Sequence, residues 1–489
     1  MAECQQNRDI NHIEQTRVAI VGGGIAGATV ALCLSELGMH VDLLEKGPSL
    51  VNGPPICHLH AGGNLYREIS EEQCVTLLIQ SVDLLRLYPY AADYRPTIIA
   101  IPTDDSGSPE ALLPRLEKLQ AEYKRLIDEN PLNKVLGDSD DYYRLFSREE
   151  VESLAQLEPL EKPQTLAQWM IPMAKNVDLD KLKFPLVMVQ EFGLNVFRLA
   201  ASVSLALESN PDCDIHTGSK VSNIVSHSQA GHWEVNYQQM GQDKTLQCDY
   251  LINAAGFRSG TIDDLLGFKR QRLVEFKAAY VCKWDDCDYL WPEIIFHGER
   301  GTPKGMGQFT PYPGGYFQLH GMTNNITLFE NGLVESNGTS AQPQLASSFI
   351  HKIDEQWTQA ETTERTRSAI EHLVSYIPKF ESAEVASKPL FGAQQIPGED
   401  PTLRAADVSF VGDRYARCEI VKASSVLTVA DAIIEQLVLL GCVDKADYGN
   451  REFAIMNSIS EADIDQRAEL LVTQREYPLS LAGRNVPQL

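Results

Sequence analysis

The sequence has no cluster of cysteines, no long apolar run and a deficit of basic residues. Its 10 cysteines are scattered singly among 489 residues, so neither a metal-ligand spacing nor a dense disulfide framework is predicted. No stretch reaches the ~18 consecutive apolar residues that a membrane-spanning helix needs. The polar N-terminal segment lacks the charged-then-apolar layout of a secretory signal. These absences predict a cytoplasmic protein with no transmembrane segment and no metal site.

The deficit of basic residues argues against two broad classes of partner. The chain has 42 Lys and Arg against 67 Asp and Glu, for a formal net charge of −25. So acidic a surface repels nucleic-acid phosphates and anionic lipid headgroups. A small anionic substrate stays compatible with this charge, because a local basic pocket can lie inside an acidic surface.

The segment RVAIVGGGIAGATVALCLSELGMHVDLLEK, residues 17–46, has the order strand, glycine turn, helix, strand. Gly22 permits the tight turn, Gly24 lets the backbone approach a pyrophosphate, and Gly27 lets helix and strand pack closely. Glu45 ends the second strand, where an acid accepts hydrogen bonds from ribose hydroxyls and repels a 2′-phosphate. We expect Lys46 beside it to belong to the same cofactor site. The segment favours FAD or NAD over NADP but does not distinguish FAD from NAD.

Three further blocks carry a resemblance to a known family: EFGLNVFRLAASVSLAL followed by KVSNIVS, then CDYLINAAGFRSG, and finally DVSFVGDRYARCEIVKASSVLTVADAI. With the opening segment they resemble the D-amino-acid oxidase superfamily of FAD oxidoreductases. Relatives include glycine and sarcosine oxidases, dimethylglycine dehydrogenase and glycerol-3-phosphate dehydrogenase. The resemblance implies FAD as the cofactor. It also implies cofactor contacts at Val221, Ala255, Gly256, Gly412, Asp413 and Lys422.

The resemblance also implies an architecture. We expect an α/β fold, with an FAD-binding Rossmann-like domain and a second α+β substrate domain built on an antiparallel sheet. The FAD-binding domain is expected to be discontinuous, because nucleotide-binding elements recur early, in the middle and late in the chain. The predicted boundaries are 15–105, 185–270 and 385–441 for that domain, 106–184 and 271–384 for the substrate domain, and 442–489 for a polar, partly helical tail.

The loop CHLHAGGNLYRE, residues 57–68, falls where the family has its flavin-proximal loop. It is similar to a stretch of dimethylglycine dehydrogenases in which a histidine carries a covalent flavin bond, and His60 matches that position. The alternative is a glycine loop, with Gly62 and Gly63 packed under the flavin ring and His58 or His60 donating a hydrogen bond.

Candidates for the chemistry lie further along the chain. Arg414 and Arg417 are predicted to bind a substrate anion, since guanidinium binds carboxylate in a bidentate manner; the alternative for both is a salt bridge. The insertion GTPKGMGQFTPYPGGYFQLHGMT is expected to form the pocket wall. Its polar candidates are Lys304, Tyr312, Tyr316 and His320, of which His320 is the first candidate for a catalytic base because of its ordinary pKa.

The favoured function is oxidation of a C–N or C–OH bond in a small amine, amino acid or hydroxy acid, by hydride transfer to flavin N5. The electron acceptor would be O2, a quinone or a carrier protein. One alternative is a flavin-dependent monooxygenase or halogenase, although the mid-chain Asp-Gly motif usual in those enzymes is missing. Another is a flavoprotein with a noncatalytic role or a role in maturing a partner protein.

Overall fold

Strands and helices are mixed along the described part of the chain. The computed structural model describes residues 16–53, 58–59, 69–227, 231–287, 289–404, 407–412, 414–444 and 452–486. The strands in these residues are β1 (Arg17–Val21), β2 (His40–Leu44), β3 (Ala92–Asp93), β4 (Thr97–Ala100), β5 (Tyr143–Phe146), β6 (Leu186–Val189), β7 (Gly193–Leu194), β8 (Cys213–His216), β9 (Ser219–His227), β10 (His232–Gln239), β11 (Gln242–Cys248), β12 (Tyr250–Asn253), β13 (Arg272–Lys283), β14 (Glu293–Phe296), β15 (Gly307–Tyr312), β16 (Tyr316–Gly321), β17 (Leu333–Glu335), β18 (Glu384–Val385), β19 (Leu390–Pro397), β20 (Asp407–Phe410) and β21 (Tyr415–Glu419). The α-helices are α1 (Ile25–Glu36), α2 (Glu71–Leu87), α3 (Leu113–Glu129), α4 (Arg148–Leu154), α5 (Leu166–Asn176), α6 (Val196–Glu208), α7 (Ser259–Leu265), α8 (Ser347–Asp354), α9 (Gln359–Val374), α10 (Val426–Leu439), α11 (Ala454–Ser458) and α12 (Glu461–Gln474).

The opening segment forms the centre of a six-stranded sheet with the order β20-β21-β12-β1-β2-β8. Neighbouring strands are parallel except β20, which runs antiparallel to β21. The run RVAIV makes a central strand because its last four residues are buried on both faces. The crossover from β1 through α1 to β2 is the expected βαβ unit. The predicted α/β fold with a Rossmann-like sheet is therefore confirmed.

A large mixed sheet lies beside the first, with the order β17-β13-β16-β15-β14-β4-β6-β5 and with β18 and β19 also paired to β13. Its pairs are antiparallel apart from β4 with β14. β4, β6 and β19 belong to this sheet, although the predicted boundaries assign their residues to the FAD-binding domain. The domain boundaries stay a prediction. At these three strands the sheet membership differs from the predicted domain assignment.

Smaller elements complete the frame around the first sheet. The antiparallel sheet β11-β10-β9 packs Trp233 and Val235 against the face of β1 that carries Ala19 and Val21. Within the predicted polar tail, the described helix α12 packs on α6. Ile464, Ala468 and Leu471 of α12 are buried there, because α12 presents an apolar stripe to the core. Among the described residues, no helix combines the length and apolar character needed to cross a membrane.

Candidate active site

The glycine turn between β1 and α1 is closely packed on one side and open on the other. A Cβ atom on Gly22, whose φ is +112°, would lie 2.3 Å from the carbonyl oxygen of Ala254. A Cβ on Gly27 would lie 2.0 Å from the carbonyl oxygen of Gly22. A Cβ on Gly24 would meet no described atom within 4 Å, and no described side chain caps α1 there. The start of α1 therefore presents backbone N–H groups to open space, as anion binding requires.

Glu45 lies at the end of β2, next to this turn. Its carboxylate accepts hydrogen bonds from the backbone N–H groups of Gly23 (2.7 Å) and Gly47 (2.6 Å). The backbone N–H of Ser219, at the start of β9, donates to the carbonyl oxygen of Glu45 (2.8 Å), which brings the strand carrying Val221 to the same edge. The side chain of Lys46 instead forms a salt bridge with Asp354 (2.9 Å).

A cavity of about 290 Å³ opens beside the glycine turn. Three parts of the fold meet there: the start of α1, the carboxyl ends of β12 and β21, and one face of β13, β14, β15 and β16. Of the predicted site residues, Gly24, Gly256, His320 and Lys422 line this cavity, whereas Val221, Ala255, Arg414 and Arg417 do not. A crevice at the carboxyl ends of parallel strands is where open α/β sheets bind ligands.

The prediction for Gly412 and Arg414 needs correction. β20 runs antiparallel to β21, so the hairpin between them, with Gly412 exposed at its turn, lies at the amino end of the parallel strands. Arg414 is exposed and donates a hydrogen bond to the carbonyl oxygen of Asp249 (3.2 Å). The cavity lies at the other end of β21, roughly 13 Å further along the strand. Residues 420–424 after that end line the cavity instead.

Arg417 also lies away from the cavity. Its guanidinium is buried and its Nε donates to Asp263 Oδ1 (2.7 Å), while Nη1 reaches Ser409 (3.3 Å). The same Asp263 accepts from Arg272 (2.6 Å). Arg417 therefore forms a buried salt bridge, the alternative predicted for it, and does not reach the cavity where it could bind a substrate anion.

His320 projects into the cavity from β16. The hydroxyl of Tyr312 donates to Oε1 of Gln318 (3.0 Å), and the amide nitrogen of Gln318 donates to Nε2 of His320 (3.0 Å). Burial, with help from Lys277 and Lys422, lowers the pKa of His320 to about 4. His320 is therefore neutral at physiological pH, and its role as a base stays a prediction. Tyr316 and Lys304 do not line the cavity, and Lys304 pairs with Asp104 on the surface.

A buried ion cluster, absent from the sequence predictions apart from His58, supports one end of the cavity. Nδ1 of His58 lies 3.1 Å from Glu293 and its Nε2 lies 3.4 Å from Glu191. Arg95 binds Glu293 and also Asp93 (2.9 Å). Burial opposes charge on the imidazole, but the two glutamates outweigh it and raise the pKa of His58 to about 9. A protonated imidazole therefore faces the cavity.

Lys277, Arg300 and Arg404 form a second group that the sequence predictions missed. Lys277 and Arg300 both form salt bridges with Glu275. The distance from Nζ of Lys277 to Oε2 of Glu275 is 2.8 Å. Burial, although countered by Glu275, lowers the pKa of Lys277, so this lysine is poorly solvated. The sequence feature that could have identified Lys277 and Glu293 is a charged residue in a short apolar strand. Lys277 lies within LVEFKAAYV, and Glu293 begins EIIF.

Four predicted positions, His60, Gly62, Gly63 and Asp413, lie outside the described residues. The covalent link at His60 and the glycine loop beneath the flavin therefore stay predictions.

Comparison with known proteins defines the class. A family model with the description "DAO: FAD dependent oxidoreductase" matches residues 17–412. The chain therefore belongs to this family of FAD-dependent oxidoreductases, as the sequence blocks predicted. It is an oxidoreductase, and its cofactor is FAD.

Solved structures share the fold at low sequence identity. Glycine oxidase from Geobacillus kaustophilus is 14% identical, with a TM-score of 0.53 over 90% of this chain and 98% of that one. NikD, an amino acid oxidase essential for nikkomycin biosynthesis, is 12% identical, with a TM-score of 0.55 over 91% and 97%. Glycerol-3-phosphate dehydrogenase from Bacillus halodurans, complexed with FAD, is 12% identical, with a TM-score of 0.52 over 96% and 74%.

One curated relative matches locally. An FAD-dependent monooxygenase from Tolypocladium album is 29% identical over 116 residues, which are 23% of this chain and 24% of that protein. The match thus spans about a quarter of that relative's length.

The residues around the cavity fit FAD. Gly24 and the uncapped start of α1 suit a pyrophosphate, and Glu45 suits a ribose. Ser424 Oγ and Gln395 Oε1 are buried at the cavity and have no hydrogen-bond partner among the described residues. Buried polar groups are ordinarily satisfied, so these two atoms suit the polar edge of a bound ring system. The start of α10, just after Ser424, also points its positive end towards the cavity.

Proposed function

We propose that the protein oxidises a C–N or C–OH bond of a small anionic substrate, an amino acid or a hydroxy acid. One observation supports an anionic substrate. Among the described residues that line the cavity there is no Asp or Glu, although the whole chain has 67 of them against 42 Lys and Arg. The Lys and Arg side chains that line it are Lys277, Arg300, Arg404 and Lys422, and the protonated His58 adds a further positive charge that is paired with Glu293 and Glu191.

The charge balance at one end of the cavity supports this substrate class. Lys277 and Arg300 together carry two positive charges against the single carboxylate of Glu275, which leaves an excess of one. A substrate carboxylate would neutralise that excess through charge-assisted hydrogen bonds, which are the strong ones in a poorly solvated site.

The remaining residues orient the substrate. His320 is neutral and lines the same cavity as Lys277 and His58, so its imidazole can hydrogen-bond a substrate amine or hydroxyl and take up a proton. Holding the substrate at two points in this way fixes the carbon to be oxidised. When bound, FAD supplies the acceptor of the two electrons. The final electron acceptor in this proposal is O2, a quinone or a carrier protein.

The test is anaerobic bleaching of the FAD-loaded protein by a panel of amino acids and hydroxy acids, each paired with its neutral amide. The acids should reduce the flavin and the amides should not. Lys277→Met and Arg300→Met should each weaken binding of the reactive acid by about 10-fold or more, since a hydrogen bond to a charged group contributes about 1.5–3 kcal/mol. Lys304→Met is the matched control, because Lys304 lies in the same region but pairs with Asp104 on the surface. Equal effects of all three changes, or equal reduction by acids and amides, would overturn the anionic class.

The local match to a monooxygenase supports a second candidate. A flavin-dependent monooxygenase needs NADH or NADPH to reduce the flavin before O2 reacts. If NADPH bleaches the flavin rapidly and no acid or amine does, this second candidate replaces the first.

A further inference from the structure

Two histidines and two aspartates meet at the outer edge of the six-stranded sheet, away from the cavity. β2 begins His40-Val41-Asp42, and β8 ends Asp214-Ile215-His216. The two strands are parallel, with Asp42 opposite Asp214 and Leu44 opposite His216. Alternate residues of a strand share a face. His40, Asp42, Asp214 and His216 therefore all project from one face of this strand pair.

Three side chains bring potential metal-ligand atoms close together at this edge. Nε2 of His40 lies 3.7 Å from Asp42 Oδ2 and 3.4 Å from Asp214 Oδ2. One ligand atom from each residue lies within 4.8 Å of the others. A tetrahedral zinc ion with bonds of about 2.0–2.2 Å separates its ligand atoms by about 3.3–3.6 Å, so small side-chain movements would bring these three atoms to that spacing. We propose that His40, Asp42 and Asp214 bind a zinc ion or a similar transition-metal ion, with water as the fourth ligand.

The surroundings of Asp42 suit this role. Its side chain is 5% exposed, and its other oxygen, Oδ1, accepts a hydrogen bond from His216 Nε2 (2.9 Å). Such a partner fixes the orientation of a ligating carboxylate. Asp214 is 59% exposed, so the ion can reach the site from solvent. Nη2 of Arg17 lies 3.0 Å from Asp42 Oδ2, and an ion bound here would displace this half-exposed guanidinium.

The residue types favour a transition metal over calcium or magnesium. An imidazole nitrogen suits Zn²⁺, Cu²⁺ or Ni²⁺, whereas Ca²⁺ and Mg²⁺ prefer sites made only of oxygen ligands. An ion here would join β2 to the edge strand β8. The backbone N–H of Glu45 donates to the carbonyl oxygen of His216 (2.9 Å), so the joined strands lead directly to the acid predicted to bind the ribose.

The experiment measures zinc affinity of the untagged, FAD-loaded protein by competition with a chromogenic chelator at pH 7.5. We expect one ion per chain with a dissociation constant in the micromolar range or tighter. His40→Gln and Asp214→Asn should each weaken it about 10-fold or more, as loss of a ligand does. His351→Gln is the matched control, because His351 is an exposed histidine paired with one carboxylate, Glu355. It should bind zinc as the wild type does.

A second measurement protects the test against misfolding. Zinc should raise the melting temperature of the wild type and of His351→Gln, but not that of Asp214→Asn, whose exposed side chain can change without loss of the fold. Three results would each overturn the proposal: no zinc binding below about 100 μM, equal zinc affinity in all variants, or equal competition by Ca²⁺. Equal competition by Ca²⁺ would indicate nonspecific binding of cations to the acidic surface.

Discussion

The ion cluster around His58 predicts a specific loss of stability. Glu293 is fully buried and binds both Arg95 and His58, whose side chains are 2% and 1% exposed. Replacing Glu293 by glutamine removes the negative charge and leaves two buried cations with fewer partners. Breaking one side of a buried ion pair costs about 3–5 kcal/mol. We therefore expect Glu293→Gln to lower the free energy of unfolding by about 3–5 kcal/mol at pH 6.

The same change should alter the pH dependence. Despite burial, Glu293 and Glu191 raise the pKa of His58 from 6.5 to about 9. One pKa unit is about 1.36 kcal/mol, so the protonated imidazole contributes about 3 kcal/mol of stability. Because the folded pKa is the higher one, this contribution is complete below pH 6.5 and is lost as pH rises through 9. The larger share comes from Glu293. The difference between variant and wild type should therefore shrink by about 2–3 kcal/mol between pH 6 and pH 9.5.

Urea denaturation at pH 6, 7.5 and 9.5 measures this difference. Glu419→Gln is the matched control, since Glu419 is also fully buried and binds Arg270 and Arg272, with no histidine among its described partners. It should lose a similar amount of stability at all three pH values. Parallel pH curves for Glu293→Gln and wild type would refute the charge assignment of His58.

Three shorter predictions concern the turn, the buried arginine and the cavity histidine. Gly24→Ala should keep the fold but weaken FAD binding to the apoprotein about 10-fold or more, since its methyl group would occupy the open space beside α1. Gly27→Ala should instead lower the melting temperature, because its methyl group would clash with the backbone of Gly22. Similar flavin-fluorescence titrations for the two variants would contradict this prediction. Arg417→Met should cost about 3–5 kcal/mol in urea denaturation by leaving Asp263 with fewer partners, with KM for an acid substrate unchanged. With a pKa of about 4, His320 should give no inflection in the pH profile of kcat/KM between pH 5 and 8; an inflection that disappears in His320→Gln would contradict the assignment.

The glycine turn between β1 and α1 could be predicted from the sequence because its geometry is local. A tight turn, a close backbone approach and a helix start must follow one another within a few residues, so the spacing of Gly22, Gly24 and Gly27 carries the geometry. Glu45 is found equally well, because it ends the next strand in the same βαβ unit. Gly22 and Gly27 are closely packed and Gly24 is open, while Glu45 bonds to the backbone of the turn; their contacts with the cofactor stay predictions.

The direction of a strand is less visible in sequence. Gly412 was predicted at the cofactor because a glycine that follows a strand in a βα unit lies at the carboxyl edge of the sheet. β20 pairs antiparallel with β21, and this reversal moves its end to the opposite edge. The hydrophobic pattern of a four-residue strand is the same in either direction, so only the pairing reveals the error.

The proposed function requires a chain of net charge −25 to bind an anion, and the cationic end of the cavity offers a physical route. Charges on the outer surface are screened beyond about 8 Å at physiological ionic strength, whereas buried pairs are screened much less. Lys277 and Arg300 reach the cavity from separate segments, β13 and the loop after β14, so no local spacing foretold their meeting. A nucleic acid must approach the acidic surface over many charges at once. A small carboxylate needs only one excess positive charge inside the cavity, so the acidic surface that repels a nucleic acid does not prevent a small anion from binding there.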